Sequence, residues 1–270
     1  IAKLMVPSVK LVTHIRKLPD SYPFIVSSFW LWLHSKFSDQ VICVSKEVKR
    51  QLGKNYPTIL IYDGIQEAEK YPPHKFFNGE KREIKFLYIG HFIPGKGQDY
   101  ALEAFRIAQK ECKNIRLKFV GGDMGLKKNM EFKKSLQKKA ENWRIDNLIE
   151  FVEFTSDVER EMKKADIVLN FSESESFSFT CLEALYYGTP LIATDSGGPA
   201  ELFENKRSGR LVPNRDVDSM VKAILELSSD LKLMQKYSRN SRDYIRENFD
   251  FSTWLVETNH VYKSLLNSKV

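Results

Sequence analysis

Cysteine is scarce in this sequence. Three residues, Cys43, Cys112 and Cys181, stand far apart among 270 and form no C-x-x-C pair. Their number and spacing argue against a disulfide framework and against a zinc site, and they suit a reducing compartment, so we expect a cytoplasmic location. The five histidines show no metal-ligand spacing either, and no bound metal is expected.

Long apolar runs are also missing. No stretch approaches the roughly 18 residues that a membrane span requires. The most apolar short stretch, residues 29–33, reads Phe-Trp-Leu-Trp-Leu. Core packing is the favoured interpretation of this stretch, and contact with a membrane surface is the alternative.

The positive charge is unevenly placed. The chain has a net charge of +7, and residues 1–82 hold 13 lysines and arginines against 7 aspartates and glutamates. This basic segment is either an ordinary solvated surface or a surface for anionic lipid or a phosphorylated substrate. No nucleic acid is expected as a partner, because the excess is not interleaved with aromatic residues as in a nucleic-acid-binding module.

Strands alternate with helices along the chain, which predicts an α/β fold with parallel sheets. The first series has strands at residues 9–13, 40–45 and 58–62, and the second runs from a strand at 85–89 to one at 209–212. Polar residues 66–83, with two adjacent prolines, predict a linker. We therefore expect two Rossmann-like domains: a partial one with its linker at 1–82, a second at 83–250, and a last helix at 251–270.

Residues 169–213 carry the strongest chemical signal. A strand ends at Phe171, a loop of small residues follows, and a helix begins near Phe179, where free backbone amides favour an anion. Glu175 in the loop and Glu183, expected on the first turn of the helix, can accept hydrogen bonds from vicinal hydroxyls. The pattern suits a ligand with both a diphosphate and polyols. Taken alone, the glutamates would fit a solvated loop and a capping carboxylate.

This segment resembles the donor site of family 4 glycosyltransferases of the GT-B fold. The family pattern is Ser-x-x-Glu-Gly-Phe-Gly, a second Glu after seven intervening residues, and then Gly-x-Pro-Val-Ile-Ala-Thr-x-x-Gly-Gly. Serines stand at 176 and 178 in place of two family glycines, and a serine costs energy if its φ must be positive. The matching residues are Ser172, Glu175, Phe177, Glu183, Gly188, Pro190, Ala193, Thr194, Gly197 and Gly198.

The resemblance implies a role for each part of this segment. Glu175 would bind hydroxyls of the transferred sugar, and Glu183 would bind the ribose. Loop and helix-start residues would meet the sugar or the phosphates, mainly through backbone amides; these are Ser176, Phe177, Ser178 and Phe179.

A second match lies at residues 88–97, where the family has Gly-Arg, four residues, and Lys-Gly. Gly90 and Lys96 fit the pattern, and His91 replaces the family arginine. The resemblance implies that Lys96 caps the donor diphosphate and stabilises the departing nucleotide. A histidine is only partly charged at neutral pH, so part of that stabilisation would come from elsewhere.

Three further elements resemble the family at the expected sites. Gly121 and Gly122 match a glycine turn that lets the nucleotide approach, although the pair could serve only as a turn. Phe154 lies where the family holds the nucleobase. His14, at the end of the first predicted strand, matches an active-site histidine near the reacting sugar, although a lone histidine is more often structural.

The resemblance covers residues 9–267 and implies a GT-B enzyme with facing domains and a last helix that crosses back to the first. It would be a retaining, metal-independent hexosyltransferase that uses a nucleotide-diphosphate sugar and needs no cofactor. The acceptor would be a lipid-linked, polysaccharide or other glycan, with peripheral membrane contact through the basic segment as an option. The family has further strands upstream, so we expect a truncated first domain.

Three alternatives remain at this point. A truncated or degenerate transferase could act as a non-catalytic binding or scaffold subunit. An epimerase or phosphorylase would share the fold but not the two glutamates. Asp216-Val217-Asp218 has the Asp-x-Asp form of metal-dependent transferases, but it opens a predicted helix, where aspartate is expected as a cap.

Overall fold

The computed structural model describes residues 2–6, 8–53, 56–66 and 83–267. Nearly all of the predicted linker lies outside these described residues. Below, residues 2–66 are called the N-terminal unit and residues 83–250 the C-terminal unit.

The N-terminal unit contains a parallel sheet of strands β1 (Val12–Ile15), β2 (Gln40–Cys43) and β3 (Thr58–Leu60), in that order. Its helices are α1 (Ala2–Met5), α2 (Phe24–Phe37) and α3 (Lys46–Leu52). The first strand was expected to stop before His14, and this is wrong. The pairing with β2 continues through His14↔Ile42 to Ile15↔Cys43, so the histidine is an internal strand residue.

The C-terminal unit contains a sheet of six parallel strands, which confirms the predicted fold class. Their order is β6-β5-β4-β7-β8-β9, so the chain starts in the middle at β4, moves outward, and returns to the other side at β7. Such a reversal creates a crevice at the carboxyl ends of the two central strands, where α/β proteins bind ligands. The strands are β4 (Ile84–Ile89), β5 (Ile115–Val120), β6 (Ile149–Val152), β7 (Ile167–Asn170), β8 (Leu191–Thr194) and β9 (Arg210–Val212).

Helices connect these strands and follow the last one. Several begin at side-chain caps. Ser45 accepts a hydrogen bond from the amide of Val48, and Asp216 accepts one of 3.0 Å from the amide of Ser219. Asp216 is therefore a helix cap, as predicted. The helices are α4 (Gln98–Glu111), α5 (Lys127–Asn142), α6 (Val158–Lys164), α7 (Phe179–Tyr186), α8 (Val217–Ser229), α9 (Leu231–Asn248) and α10 (Phe251–Asn267).

Two hydrophobic clusters cover the faces of the larger sheet. On one face α4 and α8 pack with residues such as Phe105 and Ile224, and on the other α7 packs with Leu182 and Leu185. The second cluster continues into the N-terminal unit through Val48 on α3. A shared apolar core therefore joins the two units and fixes how their strand ends face each other.

Helix α10 leaves the C-terminal unit and packs against the other sheet. Val261 is buried in a small cluster with Ile42 and Ile61, and Trp254 and Leu265 lie against it. The last helix thus returns to the first sheet.

No residue of helix α2 is fully buried. Leu31 is partly buried and packs against the second hydrophobic cluster, whereas Phe29, Trp30 and Trp32 are 55%, 50% and 54% exposed, so core packing holds for one side of this stretch and not for its aromatic residues. At 14 residues α2 is also too short to cross a bilayer, and no other described helix is both long and apolar enough.

Candidate functional site

The carboxyl ends of β4 and β7 bring a lysine and a glutamate together. Lys96, in the loop after β4, places Nζ 2.7 Å from Oε1 of Glu175, in the loop after β7. Ser172 donates a 2.9 Å hydrogen bond from Oγ to the same oxygen. The side chain of Glu175 is only 14% exposed, so solvent screens this pair weakly. The second oxygen of Glu175 makes no hydrogen bond to any described residue.

A glycine pair after β8 holds the Glu175 loop in place. The amide of Glu175 donates to Ser196, and the amide of Gly198 donates to the carbonyl of Glu175, at 2.9 and 2.8 Å. A Cβ on Gly198 would lie 2.3 Å from Cα of Phe177, so only glycine permits this approach. The matched Gly197-Gly198 motif therefore acts as a support for the loop.

The two serines that replace family glycines behave differently. Ser178 has φ of +82°, so the expected strain applies there, whereas Ser176 does not have a positive φ. Ser178 offsets part of the strain by capping α7: its Oγ accepts from the amide of Cys181 at 3.4 Å and from Nδ2 of Asn170 at 3.1 Å.

Glu183 is the fifth residue of α7 and not on its first turn, because the helix begins at Phe179. The expectation of a first-turn position is therefore wrong by one turn. Its carboxyl group makes no hydrogen bond or ion pair with a described residue, and burial raises its pKa to about 6. A half-buried acceptor without a partner is suited to a ligand that brings hydroxyl donors.

His91 and Phe154 form a flat pair at the outer end of the crevice. Their rings lie within 7° of parallel with centroids 6.5 Å apart, and both side chains are exposed. Nδ1 of His91 lies 3.3 Å from the carbonyl oxygen of Gly122, which can only accept, so Nδ1 carries the proton. The predicted nucleobase region thus presents aromatic faces to solvent.

The predicted glycines divide between two tasks. A Cβ on Gly121 would lie 2.0 Å from the carbonyl oxygen of Gly90, so this glycine lets the loops after β4 and β5 touch. A Cβ on Gly122 would meet nothing closer than Cβ of Phe154, at 3.6 Å. Gly121 is therefore needed for packing, and Gly122 leaves space beside the aromatic pair.

The N-terminal unit reaches this crevice through Arg16, which sequence reasoning missed. The carbonyl oxygen of Arg16 accepts a 2.7 Å hydrogen bond from Oγ of Ser176, and its guanidinium lies 5.9 Å from the ring centre of Phe179. The available signal was its position two residues after His14, which places both side chains on one face of the strand end.

His14 itself is engaged elsewhere. Its Nε2 lies 2.9 Å from the hydroxyl of Tyr262 on α10, and the two rings are stacked. Burial, followed by the charge of Arg16, lowers the pKa of His14 and so favours the neutral ring. The structure does not bring His14 into contact with Lys96 or Glu175.

The comparisons with known proteins agree with this geometry. A family model described as "Glycosyl transferases group 1" matches residues 71–244. The chain belongs to the glycosyl transferases group 1 family. Its fold is that of GT-B glycosyltransferases: HepE from Anabaena, solved in complex with UDP and glucose, superposes with a TM-score of 0.84 at 19% identity, over 97% of this chain and 73% of that one.

Two curated relatives support the assignment to the group 1 glycosyltransferases. An uncharacterized glycosyltransferase of Methanocaldococcus jannaschii is 26% identical over 235 residues, which cover 84% of this chain. The alpha-1,3/1,6-mannosyltransferase ALG2 of Dictyostelium discoideum is 25% identical over 254 residues, which cover 86% of this chain. The chain spans 60% of the length of each of these relatives.

A polar cleft of about 700 Å³ opens beside the Lys96–Glu175 pair of this group 1 glycosyltransferase. Its walls come from both units, with Asp20, Glu47 and Gln51 on one side and Lys96, Glu173 and Arg215 among those on the other. Another cavity, of about 380 Å³, lies at the amino ends of the strands around Lys85 and Arg116, on the edge where parallel sheets do not bind ligands.

Glu201 is a second residue that sequence reasoning missed. Its carboxylate accepts from the amides of Lys46 and Glu47, at 2.8 and 2.9 Å, and from the hydroxyl of Tyr62 at 2.8 Å. A side chain of the C-terminal unit thus caps α3 of the N-terminal unit. No sequence signal links positions 155 residues apart.

Proposed function

We propose that this glycosyltransferase is a retaining hexosyltransferase that takes its sugar from a nucleotide diphosphate and transfers it to a glycan acceptor. One observation carries the proposal: Lys96 and Glu175 meet at 2.7 Å beside the start of α7, in the crevice between β4 and β7. A cation and a helix amino end suit a diphosphate, and the carboxylate suits sugar hydroxyls.

In this proposal the donor lies along the crevice with each part next to a matching group. The base would lie near His91 and Phe154, the ribose near Glu183, the diphosphate near Lys96 and the start of α7, and the sugar near Glu175. Lys96 and the free amides of α7 would stabilise the negative charge that grows on the departing nucleotide. His14 would reach the transferred sugar only after its hydrogen bond to Tyr262 is exchanged.

The proposed enzyme needs no metal ion or other cofactor. The Asp-x-Asp motif that could suggest a metal is accounted for by the capping role of Asp216, and Lys96 supplies a positive charge at the expected diphosphate. Activity that persists unchanged in excess EDTA is the expected result, and activity restored only by Mg²⁺ or Mn²⁺ would contradict it.

The acceptor is proposed to be a lipid-linked, polysaccharide or other glycan in the cytoplasm. Support for peripheral membrane contact comes from α2, where Phe24 and Ile25 are 85% and 82% exposed; Lys17 precedes the helix and Lys36 lies in its last turn. Aromatic residues flanked by lysines favour an anionic bilayer surface. Sedimentation with vesicles of phosphatidylserine and phosphatidylcholine, compared with phosphatidylcholine alone, tests this contact, and a Phe24→Ser/Trp30→Ser variant should sediment less.

The test of the donor site is a thermal-shift and calorimetric screen with UDP, GDP, ADP and their sugar conjugates, with Mg²⁺ or EDTA. A ligand at 100 times its dissociation constant adds about 2.7 kcal/mol of stability. A selective, metal-independent shift by one nucleotide, lost in Glu183→Ala but not in the surface variant Glu257→Ala, is expected. No shift with any nucleotide would contradict a donor site in this chain.

A non-catalytic binding or scaffold subunit is the second candidate. It is favoured by the histidine at position 91 and by the strained Ser178 at the start of α7. Slow hydrolysis of the nucleotide sugar, followed by NMR without an acceptor, separates the candidates. Nucleotide binding without turnover of any donor would favour the scaffold.

A further inference from the structure

Position 91 raises the question of which group supplies the second positive charge for a diphosphate. The side chain of His91 faces Gly122 and lies parallel to the ring of Phe154, so it belongs to the aromatic end of the crevice. An imidazole in this position is suited to stacking with a base, and it offers phosphates fewer hydrogen-bond donors than the guanidinium of the family arginine. In the C-terminal unit, Lys96 and Arg215 line the cleft, and Arg215 is paired with Glu173.

Arg16 brings a guanidinium from the N-terminal unit to the start of α7. Its Cζ lies 5.9 Å from the ring centre of Phe179, the first residue of α7. Glu183 follows Phe179 by four residues, so both lie on one face of the helix. Arg16 therefore lies beside the amino end of the helix that carries the unpartnered carboxyl group.

Two contacts hold Arg16 in this position. Both oxygens of Asp63 accept hydrogen bonds from its guanidinium, and Asp63 is only 7% exposed in its side chain. The backbone of Arg16 accepts the hydroxyl of Ser176, the serine that stands in place of a family glycine. The guanidinium is nevertheless 46% exposed, so part of its donor fork remains open to a ligand.

We propose that Arg16 is a donor-binding residue that contacts the diphosphate from the N-terminal unit and supplies the charge that His91 does not. This role would connect the two departures from the family pattern. His91 removes the guanidinium of the family arginine, and Ser176 binds the backbone of Arg16, which brings another guanidinium beside the donor loop. This inference rests on the proposed function, because it assigns a residue to the same nucleotide site. It also implies that donor binding requires both units together.

The experiment compares nucleoside diphosphate with the matching nucleoside by calorimetry, for this chain and three variants. Arg16→Gln is expected to weaken binding of the diphosphate by about tenfold or more, since a charge-assisted hydrogen bond is lost, while nucleoside binding changes less than about twofold. Arg16→Lys should fall between. Lys17→Gln removes the neighbouring charge, which lies over Tyr22 and not in the crevice, and should change neither affinity.

The outcomes separate this inference from the function on which it rests. Two results would overturn the role of Arg16 and leave the donor site intact. Either Arg16→Gln binds the nucleoside diphosphate as tightly as the parent chain does, or it loses as much affinity for the nucleoside as for the diphosphate. Failure of the parent chain to bind any nucleoside diphosphate would instead reject the proposed function, and the inference with it. If Arg16→Gln does not fold, Arg16→Gln/Asp63→Asn removes the whole buried pair and serves in its place.

Discussion

Replacement of Glu183 by glutamine should make the protein more stable and, at the same time, a poorer nucleotide binder. The carboxyl group is half-buried, makes no hydrogen bond to a described residue, and has a pKa raised by burial to about 6. Ionisation at neutral pH therefore opposes folding. Glutamine has nearly the same shape and stays neutral, so it removes the penalty without leaving a cavity.

The size of the change in the free energy of unfolding follows from the pKa shift of Glu183. The pKa rises from 4.5 to about 6, and each unit corresponds to about 1.4 kcal/mol, so the ionised group lowers stability by on the order of 2 kcal/mol. Because the folded-state pKa is the higher one, the contribution to stability is fully present below pH 4.5 and is lost as the pH rises through 6. The difference in unfolding free energy between Glu183→Gln and the parent protein should thus be near zero at pH 4. It should grow between pH 4.5 and 6 and be constant above pH 7.

Chemical denaturation of both proteins from pH 4 to 8 measures this difference in stability, and Glu257→Gln, at an exposed position of α10, provides the control. Nucleotide affinity at pH 7.5 should fall about tenfold in Glu183→Gln, because an amide offers the ribose one acceptor instead of two. A stability difference that does not change with pH would refute the buried, unpartnered state of the carboxyl group. Unchanged affinity in the folded variant would remove Glu183 from the nucleotide site.

Three further changes test the loop and the contact between the units. Ser178→Ala loses the cap of α7 but keeps the positive φ, so it should destabilise by about 1 kcal/mol, whereas Ser178→Gly relieves the strain and should be nearly neutral in denaturation. Gly198→Ala places a Cβ against the backbone of Phe177, so it should lower stability by about 1–3 kcal/mol and also lower nucleotide affinity. Unchanged nucleotide affinity would show that the loop is not part of the site. Glu201→Ala removes the acceptor of the Lys46 and Glu47 amides and of the Tyr62 hydroxyl, while Ser45 still caps α3, so it should cost about 1–2 kcal/mol and speed proteolysis between the units. An unchanged cleavage rate would argue against its role as a contact.

The regular elements were predictable because they depend on local periodicity and capping. The strand predicted at 85–89 is β4 (Ile84–Ile89), and Asp216 caps α8 as the sequence predicts. The errors arise where distant contacts decide. His14 belongs to β1 because its partner strand continues past it, and Glu183 moves to the second turn because α7 starts at Phe179. Neither pairing length nor the first residue of a helix can be read from the apolar pattern alone.

The residues of the candidate site also fall into two groups, those that local motifs predict and those that depend on distant contacts. The sequence was sufficient to predict Lys96, Glu175, Gly198 and Glu183, because they belong to motifs with fixed spacings. It was not sufficient for Arg16 and Glu201, since each acts across the interface between the two units, at sequence separations of 160 and 155 residues from its backbone or side-chain partners. A single sequence carries spacing within an element but no information about which distant strand ends face each other.

The charges in the crevice bear on how the proposed donor would bind. Lys96 is paired with Glu175, and Arg16 is paired with Asp63, so both cations already have carboxylate partners. A diphosphate must therefore compete with these pairs, and its net gain is smaller than the contact of two free cations would give. Sugar hydroxyls that bind Glu175 would compensate that carboxylate as Lys96 turns toward phosphate. This exchange predicts that the intact nucleotide sugar binds more tightly than the nucleoside diphosphate alone, and that Glu175→Gln removes the difference.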